Sequence, residues 1–374
     1  LTVGQDVAGH VEVDGNLDTA TVLGSVLSTT GSTILVGHNL GRLTVGQVVN
    51  NQPVPGNVSG VITVGGDFDT GYVYGSVSGL ITVGGNLTSL LKVIGDVSGT
   101  VAVVGNVAEL DTRGSQSGLF TAGGDVTLLE IGTALTAAGR DLIHGNLWSL
   151  LAGGEGPGNP GNGLFGEVVV GGNLFEAQAD GAMSGTLAVN GDVGMAFPDD
   201  SGHLTFYGGV IVDGPFSGQL AAQGNDYGDL WFKRDVTGRV AVRGQPIAGQ
   251  DARRSGILGN VRVDGVIGST AAIVSGGEIG DAAAGTVLSA ASVSGILAAE
   301  GDMSLGSVGA TSGAHLFADA QGVNKAAIDA IFTNLGSPLP IDTTPQGLNN
   351  LALILTDLEA LHVGSDGNLT GPRP

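Results

Sequence analysis

The chain has 374 residues, of which 69 are Gly; 42% are hydrophobic, 4% aromatic and 13% charged, with no Cys and a formal net charge of −22. That balance argues against nucleic-acid or anionic-membrane partners, which need a basic face, and favours counter-cations or basic partners instead. The absence of Cys removes disulfides, thiolate metal sites and cysteine nucleophiles together, and no apolar run reaches the roughly eighteen residues of a membrane span.

Collagen is excluded because Gly follows no three-residue period, and disorder because Val, Ile and Leu recur regularly. The first residue is Leu1, with no charged segment and apolar stretch after it, as a removed signal peptide or a trimmed chain would leave. LTVGQDV already reads as part of a repeat, which continues through Asp6-Val7 and Gly15-Asn16-Leu17.

The repeat is clearest in VSGVITVGGDF from Val58, VSGLITVGGNL from Val77 and VSGTVAVVGNV from Val97, which begin nineteen and twenty residues apart. Apolar columns result: Val58, Val77, Val97; Ile62, Ile81, Val101; Val64, Val83, Val103; Phe68, Leu87, Val107. Within each column-bearing segment the apolar residues alternate with Thr, Ala or Gly, as in a strand with one buried face. A weaker copy lies between successive units, so a coil of about twenty residues consists of two strand-and-turn halves of about ten.

Gly followed by Asn, Asp or Ser closes each half, where Gly bends freely and a short polar side chain serves the exposed backbone. Asp67, Asn86 and Asn106 form one corner column, and Asn57, Ser76 and Asp96 another; stacked coils turn these into ladders, each amide bonded to its equivalent one coil away. Two of these residues, Asn57 and Asn86, also begin N-glycosylation sequons, but the corner gives each a structural reason to be Asn.

Regularity is lost between about residues 150 and 260. GGEGPGNPGNG, residues 153–163, can hold neither strand nor helix and leaves the stack as a loop. Its GGEGPG fragment ends in Gly158 where a calcium nonapeptide carries Asp, so calcium has only weak support there and no cofactor is expected. SGTLAVNGDV from Ser184 restores the repeat, and then Phe197, Phe206, Tyr207, Phe216, Tyr227, Trp231 and Phe232 gather in one stretch.

Lys233, Arg234, Arg239, Arg243, Arg253, Arg254 and Arg262 follow at once. Lys233 and Arg253 are twenty apart, as are Arg234 and Arg254, and Arg243 and Arg262 are nineteen apart, so one coil would stack like charges. Such stacking costs energy unless carboxylates or an anion intervene. The candidate contact strip is therefore Tyr207, Trp231, Lys233, Arg234, Arg243, Arg253, Arg254 and Arg262, facing an anionic polysaccharide or the acidic flank of a neighbouring subunit. The competing reading is a solvated strip balanced by Asp229, Asp235 and Asp251, with the aromatics filling wider coils.

The repeat returns in TGRVAVRGQP from Thr237 and SGILAAEGDM from Ser294, and residues 1–314 are assigned to the solenoid. Residues 315–374 change character: Ala327, Ile328, Ile331 and Leu335, then Leu348, Leu351, Leu355, Leu358 and Leu361, recur at helical spacing around a Pro-rich joint. A helical cap covering unpaired strand edges is the expected role, and a docking segment the alternative.

These residues resemble the Gly-rich right-handed parallel β-helix repeats of bacterial secreted and surface proteins, the class that includes adhesins and autotransporter passengers. The resemblance implies an all-β parallel solenoid with a short α-helical C-terminal cap, right-handed by the general crossover preference. It also implies an extracellular or cell-surface setting in bacteria. Catalytic patterns are lacking: six scattered His residues, no HExxH, no G-x-S-x-G and no phosphate loop. The expected function is structural or adhesive: a rigid acidic rod making lateral or end-to-end contacts with itself or other surface proteins in a layer, fibre or filament. The alternatives are a polysaccharide-binding module at residues 197–262, or a polysaccharide lyase or hydrolase there using Asp199, Asp200, His203, Lys233 and Arg234.

Overall fold

The computed structural model describes residues 1–28, 31–154, 161–198, 204–247, 255–310, 312–334 and 337–371. The chain divides into two compact units, Leu1–Val168 and Val169–Pro374. Each is built on parallel β-coils, so the parallel solenoid is the observed fold.

In the first unit one parallel ladder joins Thr2–Val3, Leu17–Val22, Leu40–Val49, Phe68–Val73, Leu87–Val93, Val107–Thr112, Val126–Ile131 and Leu147–Ala152. A second joins His10–Val13, Thr33–Val36, Val61–Val64, Leu80–Val83, Thr100–Val103, Leu119–Ala122 and Arg140–Ile143. Between them runs a wall only one residue wide, in which Val7, Val26, Val58, Val77, Val97, Gln116 and Leu135 bridge successive coils. Two strands per coil match the two halves of the repeat, but the first half is bent at its Ser-Gly pair and contributes this third wall as well.

The bend dictates its residue. A Cβ on Gly99 would lie 2.0 Å from the carbonyl oxygen of Gly79 in the preceding coil, so no side chain fits while the coils keep their spacing. The interior is filled by the columns read from the sequence: Ile62, Phe68, Val77, Ile81, Val97 and Val101 are all buried. Each such side chain contributes about 1.5–3 kcal/mol against the roughly 1–2 kcal/mol that ordering each residue costs. A coil therefore needs its neighbours.

The corner ladders bond differently from an amide stack. Asn57 Oδ1 accepts the backbone N–H of Ser76 at 2.8 Å, Ser76 Oγ that of Asp96 at 3.1 Å, and Asp96 Oδ1 that of Ser115 at 2.8 Å. In the other column Asp67 accepts from Asn86 N–H at 2.8 Å, Asn86 from Asn106 at 2.9 Å and Asn106 from Asp125 at 2.8 Å. Only a short side chain ending in an acceptor is required, which is why Asn, Asp and Ser interchange. A side-chain amide donates to its equivalent at Asn86 Nδ2 to Asp67 and at Asn146 Nδ2 to Asp125, both 3.0 Å.

One coil of this unit is lengthened by a hairpin. Leu40–Val49 continues past the ladder and pairs antiparallel with Gln52–Pro55 around Asn50 and Asn51, whose φ angles of 52° and 60° suit a tight turn. The corner bond from Asn57 N–H to Ser25 Oγ accordingly spans 32 residues rather than the usual 19 or 20.

In the second unit Leu174–Ala179, Gly209–Val212, Asp229–Phe232, Val261–Ile267, Leu288–Val293 and Leu305–Ala310 form one parallel ladder. Thr186–Val189, Gln219–Ala222, Arg239–Val242, Ala272–Ser275, Ile296–Ala299 and His315–Phe317 form the other. A second antiparallel hairpin, Met195–Pro198 with Leu204–Tyr207, departs between coils.

Two helices follow, α1 (Gly322–Phe332) and α2 (Pro345–Ala360). Thr344 caps α2 by accepting the Gly347 N–H at 3.1 Å, and Pro345 sits at the first helical position, where no N–H is needed. Ala327, Ile328 and Ile331 are buried on α1, and Leu351, Ile354, Leu358 and Leu361 in and after α2. Leu348 and Leu355 are only half-buried, and Leu335 lies outside the described residues.

The helical segment lies along the flank of the second ladder. Arg239 donates to the Leu358 carbonyl, Gln219 Nε2 to Glu359 at 2.6 Å, Gln223 Nε2 to the Leu339 carbonyl at 2.6 Å, and the Ile341 N–H to Asn190 at 2.9 Å. Lys325 of α1 pairs with Glu300. Outward-facing Ala188, Ala221, Ala241, Val274 and Ala298 are consequently fully buried, whereas Thr63, Thr82, Ala102 and Thr121, counterparts in the first unit, remain only partly buried. The last coil is left open: Leu305 and Leu316, which continue the buried columns of Leu288 and Leu297, are each 44% exposed.

Asn57→Ala should lower unfolding free energy by about 1 kcal/mol, since it orphans the Ser76 N–H, while Asn57→Asp should stay within a few tenths. Gly99→Ala should cost about 1–3 kcal/mol through the clash with Gly79. Urea denaturation of the three variants measures both effects.

Candidate functional site

The aromatic and basic stretch forms a definite cluster, assembled by the first ladder of the second unit. Leu230 and Phe232 point inward and are fully buried, so the alternation of the strand turns Trp231 outward. Arg262 is its register partner on the next strand. The guanidinium of Arg262 sits 4.5 Å from the centre of the indole, and Lys233 Nζ 4.8 Å from it. Both cations are attracted to the electron-rich ring face.

Carboxylates complete the arrangement. Asp264 accepts the Trp231 Nε1–H at 3.0 Å and pairs with Arg262 Nε at 2.7 Å, while Asp213 pairs with Lys233 Nζ at 2.6 Å. The hydrogen bond from Arg262 and then that from Trp231 hold the Asp264 carboxyl below its ordinary value. Two cations and two carboxylates thus balance around one indole, whose face is already occupied.

The cluster gathers only part of the predicted strip. Trp231, Lys233 and Arg262 come together. Arg243 does not stack on Arg262, because it follows Arg239–Val242 on the second ladder while Arg262 belongs to Val261–Ile267 on the first. The nineteen-residue spacing misleads here because the local coil is longer: Trp231 and Arg262, in register, are 31 positions apart. Tyr207 belongs to the hairpin, 51% exposed, with its ring edge-on to Phe197 at 5.8 Å. Arg234 is exposed and Arg243 half-buried, and neither forms an ion pair among the described residues. Arg253, Arg254 and Asp251 lie outside the described residues, as do Asp199, Asp200 and His203.

The balancing carboxylates also differ from those expected. Asp229 and Asp235 are corner acceptors, taking the N–H of Asn260 at 3.1 Å and of Val266 at 2.9 Å. Asp213 and Asp264 neutralise the cations instead. Arg262 and Asp264 are two residues apart, which puts both on one strand face, and that spacing was the available signal.

A second charged cluster lies on the first unit. Lys92, Asp111 and Glu130 are register partners on three successive strands, and Glu109 is close by. Carboxylate oxygens of Glu109, Asp111 and Glu130 lie within 4.8 Å of one another, a spacing that could hold a cation. Lys92 is bonded to Asp111, and Arg113 approaches Asp111 at 3.3 Å and Glu130 at 3.9 Å, so the negative charge is already answered. At the loop considered for calcium, Gly158 is outside the described residues, and Asn162 Nδ2 closes the base by donating to the Gly153 carbonyl at 3.3 Å.

No protein-family model, characterised protein or solved structure matches the chain. The site's chemistry must therefore be judged from its own geometry: a neutral, internally bonded cluster with its aromatic face covered.

Replacing Arg262 with Ala should raise the Asp264 carboxyl pKa toward the ordinary Asp value, because the largest stabiliser of its charge is lost. Titration of the Asp264 side-chain carbon resonance by NMR in both proteins gives the shift directly.

Proposed function

We propose that this is an extracellular structural or adhesive β-solenoid, working through end-to-end or lateral contacts with further copies or other surface proteins in a layer, fibre or filament. The observation that carries this reading is the open final coil. Leu305 and Leu316 stand where the preceding coil places the buried Leu288 and Leu297, and among the described residues the strands bearing them have no further parallel strand to bond. An exposed apolar strand edge is a template for pairing, and proteins that do not use such an edge usually cover or charge it.

The charge distribution supports the same reading. With a net charge of −22, broad lateral faces repel one another, so contacts concentrate where backbone edges and apolar groups are presented. The hairpin of the first unit offers another such place, with Val48 50%, Val49 44% and Val54 39% exposed. A sugar-stacking role for Trp231 draws less support, since Lys233 and Arg262 already occupy its ring.

Leu305→Lys with Leu316→Lys should leave the coils folded by circular dichroism yet abolish assembly seen by sedimentation velocity and electron microscopy. A wild-type protein that stays monomeric at all accessible concentrations and binds no surface component would refute the proposal.

A further inference from the structure

The inward columns of the first unit are broken at two neighbouring points. Gln116 takes the third-wall place held elsewhere by Val58, Val77 and Val97, and Asp141 stands opposite Phe120 in the column of Ile62, Ile81 and Val101. Both have no exposed surface. Gln116 Nε2 donates to Asp141 Oδ1. Gln116 Oε1 and Asp141 Oδ2 have no hydrogen-bond partner.

Two unbonded oxygens in a dry core would be costly, about 1–3 kcal/mol each and more for a charged group. A carboxylate cannot relieve this, because it only accepts, and so does the amide oxygen. A single proton on Asp141 Oδ2 changes the count: it supplies the donor that Gln116 Oε1 lacks and removes the buried charge.

We propose that Asp141 is held as the neutral acid, Gln116 Nε2 donating to Oδ1 while Oδ2–H donates to Gln116 Oε1, a planar two-bond ring that makes folding of this unit take up a proton. The environment favours it. Burial pushes the Asp141 carboxyl well above its ordinary range, and the Gln116 hydrogen bond offsets only part of that.

Among the described residues no cation faces the ring from the surrounding walls. Phe120 is its register neighbour on Leu119–Ala122. On Arg140–Ile143 itself Arg140 is turned outward, where it pairs with Glu167 of the following strand at 2.5 Å. Across the interior, Val107–Thr112 and Val126–Ile131 direct Leu110, Thr112, Leu129 and Ile131 inward, and their Glu109, Asp111 and Glu130 belong to the outer cluster. Leu147–Ala152 carries no titratable residue.

The folded-state pKa of Asp141 lies above the unfolded one, so the native state binds the extra proton between the two values. Stability is then greatest below the unfolded pKa, near 3.9, and falls as pH rises toward the folded value. The unfolding constant should grow up to tenfold per pH unit for each such proton. Asp226 of the second unit contributes with the same sign. It stands fully buried between Val193 and Ile257 in an inward column, and burial raises its carboxyl well above the ordinary range, partly offset by the nearby Gly228 N–H.

The test must therefore single out Asp141. Asp141→Asn keeps both arms of the ring without the proton, whereas Asp141→Leu keeps neither. Infrared spectra of protein labelled with ¹³C at Asp side chains, taken at about pH 6, two units above an ordinary Asp, should show a protonated carbonyl band that Asp141→Asn weakens. Urea midpoints from about pH 4 to 8 should fall less steeply for Asp141→Asn than for wild type, with the Asn variant more stable than the Leu variant. An unchanged band in Asp141→Asn overturns the proposal, because Asp141 would then be ionised. Equal stability of the Asn and Leu variants across that range overturns the ring.

Discussion

Each coil presents corner N–H groups that point along the stack at the coil before it, and the fold depends on an oxygen being there to receive them. Strand ladders satisfy the walls, but a corner turns the backbone out of the ladder and strands its donors. Asn57, Asp67, Ser76, Asn86, Asp96 and Asn106 each place one acceptor under the N–H of the following coil. The Gly that precedes each of them permits the approach. Coil spacing, Gly content and the tolerance for Asn, Asp or Ser all follow from this bond.

That same dependence explains which parts of the structure could be read from sequence. A corner needs two residue types in a fixed order, so its period is visible wherever nothing intervenes, and the columns from Val58 to Val107 are the buried ones. The third wall was not legible, because a one-residue bridge such as Val77 looks like the start of the strand at Leu80. The hairpin between Gly46 and Gly56 was hidden because it is inserted at a corner, where extra residues alter the count without disturbing the coils on either side.

The Trp231 cluster was half-legible for a related reason. Aromatic and basic residues gather in sequence, and Trp231, Lys233 and Arg262 do meet. The register that decides which charges meet, however, depends on loop lengths between coils, and those depart from twenty. The flank position of α2 had a weak signal of its own: outward positions 188, 221, 241 and 298 of the second unit are all Ala, where the first unit sets Ala102 among Thr63, Thr82 and Thr121. A run of successive outward positions that are small and apolar marks a face another element covers, as the lone Ala102 does not, a signal of size and polarity rather than period.

Charge then limits what can touch the molecule. Lys92, Arg113, Arg140, Lys233, Arg262 and Lys325 each pair with a carboxylate of their own unit, and Arg239 is turned into the α2 carbonyl end. Among the described residues the few bases are thus mostly spent on internal ties, while the chain carries 35 acidic residues. Among the described residues an anionic ligand finds little free cation to bind, whereas a backbone edge keeps its hydrogen-bonding capacity whatever the surrounding charge. The proposed contacts through strand edges and exposed Leu or Val suit such a surface, and added salt should strengthen them by screening the acidic repulsion.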